Sequence, residues 1–94
     1  MKFPKKIHVA GQDFNVKLVG FRENDNAGTY HSHFHEIQVN TESGPESSHA
    51  ETFLHELIEL VNDMAALKLP HKKINDLSQW LFMIMRDNKI YFGK

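Results

Sequence analysis

The sequence predicts an α+β domain: a small antiparallel sheet of three strands followed by two packed helices. Two observations carry this. Apolar residues alternate with polar ones over the first twenty positions and again over roughly 29–40, and from about residue 48 the spacing changes to that of an amphipathic helix. Between the two regimes lies a Gly-, Pro- and Ser-containing stretch, so strands come first and helices second.

In KKIHVAGQDFNVKLVG, Ile7 and Val9 share one face, and Phe14, Val16 and Leu18 share one face after the turn at Ala10-Gly11-Gln12-Asp13. Glycine between two alternating runs predicts a hairpin with strands near 5–10 and 13–19. RENDNAG, residues 22–28, is a polar turn or loop. A third strand is predicted over roughly 29–40, with His33, His35, Ile37 and Val39 on one face and Phe34, Glu36 and Gln38 on the other.

TESGPESS, residues 41–48, reads as a loop closing on a helix N-cap at Ser47 or Ser48, with Glu51 placed for a capping box. From there to about Leu67, Phe53, Leu54, Leu57, Ile58, Leu60, Val61, Met64, Ala65 and Leu67 form a broad apolar face. A face that wide buries in the core or in a second copy, so the oligomeric state is left open. Pro70 disfavours helix at Leu69 and stops the first helix. The second helix runs from about Lys72 to Asp87, with Ile74, Leu77, Trp80, Leu81, Ile84 and Met85 as its stripe and Asn88 as C-cap. Trp80 with Phe82, Met83 and Met85 reads as core and its rim, and Lys72-Lys73 as a solvated pair. KIYFGK at 89–94 is a short tail, read as an edge strand.

Composition narrows the function. The 94 residues predict one domain, 1–94. Eleven basic against 12 acidic side chains give a net charge of −1, which argues against a generic electrostatic nucleic-acid binder. No apolar run approaches the roughly 20 residues of a membrane span. The lysines of MKFPKKIHV lack the apolar stretch of a signal peptide, so a cytoplasmic protein is expected. Zero cysteines exclude a disulfide framework, a thiol nucleophile and every thiolate metal site. Glycine-rich phosphate loops, a G-x-S-x-G elbow and a basic-aromatic stripe are all missing.

Seven histidines remain, and without cysteine any transition-metal site must use imidazole and carboxylate. The first helix carries His55-Glu56-Leu57-Ile58-Glu59, an H-E-x-x-E sequence. Positions i and i+4 lie one turn apart on one face, so His55 and Glu59 can point at one ion. Glu56 is displaced around the helix, where it can miss the ion and still reach a water as general base. The bland alternative is a solvated His–Glu pair, but apolar neighbours on both sides place these residues beside a buried face, where charged groups need partners.

A zinc site wants a third protein ligand and an open fourth position. His71 is the leading candidate. The helix climbs roughly 12 Å from Glu59 to Leu67, and the four residues to His71 can return about as far in extended form. His35 or His33 comes next, from the neighbouring strand, with substrate contact or a secondary metal clip in HSHFH as their other roles. Asp76 is the fallback. Zinc is the first choice of ion, and other divalent transition metals suit the same donors.

The segment ETFLHELIELVNDMAALKLPHKKINDLSQWLFMIMRDN resembles the short zincin-like metallopeptidase proteins of phages and prophages. These pair an H-E-x-x-H or H-E-x-x-E helix with a downstream L-x-H-x-x-I-x-x-L segment and a D-N close. The wider resemblance is to the minimal zinc-peptidase domain associated with phage repressor cleavage. It covers residues 51–88 and implies His55, Glu59 and His71 as ligands, Glu56 as catalytic base, and a protein or peptide as substrate. Glu59 stands where the peptidase signature usually has His, and added negative charge lowers the ion's Lewis acidity. A phage accessory protein that uses the same site as a structural staple and binds a host or phage protein is the alternative.

Overall fold

The alternating residues at the N-terminal end fold as the hairpin their pattern predicts. In the computed structural model, which describes residues 3–90, β1 (Lys6–Val9) pairs antiparallel with β2 (Gln12–Val19). Val9 faces Gln12, so Ala10 and Gly11 alone make the turn, with φ of 52° and 79°. Two successive left-handed residues are what a tight hairpin turn of this hand requires.

The stretch expected as one long strand is two. β3 (Gly28–His31) and β4 (Glu36–Asn40) form a second antiparallel hairpin, and the chain reverses at residues 32–35. His35 takes φ 47°, a conformation that His adopts more readily than most residues. β4 then inserts beside β2 and runs parallel to it, giving the order β1-β2-β4-β3. The sheet is therefore mixed and four-stranded, not the three-stranded antiparallel sheet expected. The loop at 20–27 makes the crossover possible. Asn24 donates to Thr29 Oγ1 (2.8 Å) and Gln38 Oε1 (2.9 Å), and its carbonyl accepts from Asn40 Nδ2 (2.8 Å). This covers the sheet face behind the core, where paired Val19 and Asn40 are buried.

The other face carries the core of Phe14, Ile37, Val39, Phe53 and Leu60. Phe53 and Leu60 come from α1 (Glu46–Met64), which lies across β3 and β4. Its N-terminus differs from expectation: Pro45 is the N-cap, and Ser48 sits inside the first turn with its hydroxyl donating to the Pro45 carbonyl (2.7 Å). Proline's fixed φ suits a helix start, so the helix begins before either serine can cap it.

α1 ends three residues earlier than predicted. Ala66 and Lys68 adopt φ of 51° and 58°, and the chain turns toward α2 (His71–Asp87). Asn62 organises the turn from the last helical turn. Its Oδ1 accepts from the Leu69 N–H (2.8 Å), and its Nδ2 donates to the Leu69 carbonyl (3.3 Å). Asn88 is the C-cap of α2, as expected. Among the described helices and strands α2 packs on α1 alone, and its buried residues are Ile74 and Ser78. Trp80 is exposed, so it is not core. The tail expected as an edge strand lies mostly outside the described residues.

Replacing Asn62 with Ala removes two hydrogen bonds from the turn that sets the start of α2. Urea unfolding should show a loss of about 1–2 kcal/mol.

Candidate metal centre

α1 turns about its axis until Phe53 and Leu60 meet the sheet. That roll carries Glu56 toward β3 and leaves His55 and Glu59 facing α2. α2 enters at His71 after the Asn62-held turn, and the three side chains meet. Ligand atoms of His55, Glu59 and His71 lie within 4.8 Å of one another, the one such group of metal-ligating side chains among the described residues. The His55 and His71 rings stand edge to face with centroids 5.0 Å apart, and His71 Nδ1 is 3.7 Å from Glu59 Oε1. Tetrahedral ligands around zinc lie about 3.4 Å apart for bonds of ~2.1 Å. Closing the group around an ion therefore needs movement on the order of an ångström. The exposed His71 side chain is able to supply it.

Ser78 prepares His55 for that role. Its hydroxyl proton goes to the Asn75 carbonyl (2.9 Å), leaving an oxygen lone pair 3.4 Å from His55 Nδ1. With the proton on Nδ1 shared with that lone pair, Nε2 would be left for an ion, the usual division of labour for a metal-binding imidazole. Burial, more than the neighbouring His71, holds the His55 pKa below its ordinary value despite the opposing pull of Glu59. The neutral, metal-binding form is favoured.

Glu56 is 8% exposed, and no hydrogen-bond donor reaches it among the described residues. Burial first, and then the charge of Glu59, push its carboxyl up to about 7. A carboxyl that changes charge near neutrality suits a general base. It lines a pocket of about 240 Å³ together with Gly28, Thr52, His55, Asn75 and Ser78. Gly28 makes the pocket's strand wall possible. A Cβ there would come within 2.5 Å of Thr52 Cγ2 and 3.1 Å of Glu56 Oε2, so only glycine lets β3 run this close to α1. Farther along, the Tyr30 hydroxyl donates to Asp63 (2.9 Å) and pins the same strand to the same helix.

The remaining candidates lie elsewhere. His33 and His35 sit on the β3–β4 turn, at the opposite end of β3 from Gly28. They line neither the pocket nor the cluster, and the His35 ring packs 4.8 Å from that of Phe14. The reversal at 32–35 breaks the shared strand face on which a clip in HSHFH depended. Asp76 is exposed and outside the group, because His71 already arrives. Ser78 and Gly28 carry parts not anticipated from sequence. Ser78 had a readable signal, being a polar residue four positions after Ile74 on an otherwise apolar stripe.

Comparison with protein-family models, with curated proteins and with solved structures finds no match for this chain.

The raised Glu56 pKa has a stability consequence in chelator-treated protein. Its folded value of about 7 lies above the ordinary 4.5, so the unfolded chain gives up the proton first as pH rises. Stability is greatest below about pH 4.5 and is lost as pH climbs through 7. Glu56→Gln removes that titration. In EDTA, chemical denaturation should find the variant similar to wild type near pH 4.5 and more stable by about 2–3 kcal/mol at pH 8. A difference that stays constant with pH would contradict the buried, titrating carboxyl.

Proposed function

We propose that this protein is a zincin-like metallopeptidase of the phage and prophage type, holding a divalent ion, zinc first, on His55, Glu59 and His71. The observation that carries the reading is the placement of buried Glu56 between that cluster and a pocket walled by an edge strand. Two imidazoles and one carboxylate are a donor set of catalytic zinc centres, here with the carboxylate in the second helical position.

A bound ion would polarise and acidify a water molecule in the open position and stabilise charge developing on a carbonyl oxygen. Glu56 would take a proton from that water as the water's oxygen adds to the carbonyl carbon. It then returns the proton to the nitrogen as the C–N bond breaks. β3, as the edge strand beginning at Gly28, offers backbone groups along which an extended peptide is held. Ser78, 3.4 Å from His55 Nδ1, would favour the tautomer that leaves Nε2 for the ion. No helix among the described residues is long and apolar enough to cross a membrane, and the substrate class of this reading is a protein or peptide.

The staple reading has an observation of its own. The cluster joins α1 to the first residue of α2, a helix that packs against no other helix or strand among the described residues. An ion there would clamp α2 in place whether or not it hydrolyses anything.

Metal content separates the readings first. Protein purified without a His-tag should carry about one zinc per chain by elemental analysis, with loss in the His55→Ala/Glu59→Ala double variant and weakened retention in His71→Ala. Wild type without bound metal would remove both readings and leave His71 and Glu59 as a simple pair. Glu56→Gln should keep the ion and lose cleavage of a peptide library read by mass spectrometry, by a factor of about 100 or more. Zinc-loaded wild type that cleaves nothing, and whose melting temperature drops sharply on chelation, selects the staple.

A further inference from the structure

The second helix presents an apolar flank that the fold does not cover. Leu77, Trp80, Leu81 and Ile84 are 43%, 66%, 37% and 52% exposed, and they recur at i, i+3, i+4 and i+7, which makes them one continuous strip on the helix surface. Ile74 and Ser78, on the adjoining side of α2, supply the contact with α1, the one element that α2 packs against among the described residues. A strip of this kind on a helix held from one side calls for a partner.

Its pattern is symmetric under reversal of direction. A two-fold axis placed beside Trp80 and Leu81 sets Trp80 against the partner's Leu81 and Leu77 against the partner's Ile84. The charges obey the same axis. Lys73 near the start of α2 and Asp87 at its end lie on the same flank of the strip, since 14 residues are close to four helical turns. Antiparallel helices bring like flanks together, so Lys73 of each copy comes beside the partner's Asp87. Parallel pairing would set Lys73 against Lys73 and Asp87 against Asp87. The opposed helix dipoles favour the antiparallel arrangement as well.

We infer that two copies of this chain associate through α2, paired antiparallel along Leu77, Trp80, Leu81 and Ile84, with Lys73 and Asp87 closing both ends. The contact is isologous and therefore closes at two copies. A 17-residue helix is about 25 Å long, so the seam belongs with small interfaces and the dimer is reversible and concentration-dependent. The inference is independent of the metal centre, whose ligands lie off this strip.

Trp80 is the single tryptophan of the chain and reports on its own burial. Sedimentation velocity from about 1 µM to about 1 mM should show conversion of monomer to dimer, with Trp80 emission shifting to the blue over the same range. Ile84→Glu should abolish the dimer while far-UV circular dichroism is unchanged. Lys73→Glu, on the exposed surface, should weaken dimerisation roughly 10-fold, and Lys73→Glu/Asp87→Lys should restore it. Should Ile84→Glu fail to fold, the charge-reversal pair decides alone. Monomer throughout the range overturns the inference, as does a dimer indifferent to both charge variants.

Discussion

Burial of Phe53 and Leu60 against Ile37 and Val39 fixes the roll of α1, and every feature of the site depends on that roll. With these two side chains in the core, the 100° step between helical residues has no freedom left. Glu56 must fall toward the edge of the sheet, and His55 and Glu59 must fall on the side where α2 packs. The separation of proton-handling and ligating groups is thus a consequence of core packing. A helix rotated by half a step would bring Glu56 toward the ion position and take His55 away from Ser78.

The same packing creates an electrostatic debt around Glu56. Its side chain is mostly buried at the pocket wall and stands near a second carboxylate in Glu59. In an ordinary core such a position would be apolar, because a charge without partners destabilises its surroundings. Two acids sharing a site with two imidazoles become favourable once a cation joins them. The group lies where Gly28, with no side chain of its own, lets β3 approach α1. Stability given up at one spot in this way is a common mark of a site shaped by function.

Much of the fold was legible because the apolar spacing is clean. The first hairpin, both helices and the turn at Pro70 follow from period and punctuation, and so does the i, i+4 placement of His55 and Glu59. The second hairpin was not legible. HSHFH contains no Gly, Pro, Asn or Asp to announce a reversal, and the left-handed turn is made by His35, so alternation appeared to run through it. The parallel β2–β4 pairing was hidden for a different reason. It rests on Asn24 holding loop, β3 and β4 together, a set of long-range hydrogen bonds with no local signature. Trp80 misled because a helical stripe shows that an apolar face exists without showing what covers it.

The position of α2 decides whether the cluster is open or closed. His71 is the first residue of that helix and Ser78 lies two turns on, so one rigid element carries both a candidate ligand and the group that orients another. α2 in turn rests on α1 through a narrow contact centred on buried Ile74 and is tethered at its start by Asn62. An element held this lightly can slide or tilt by an ångström at little cost, because few buried contacts have to change. That is the size of movement that separates the observed spacing of the three side chains from the spacing of ligands around an ion. A metal that grips α2 at its first turn would therefore act on the geometry of these same three residues.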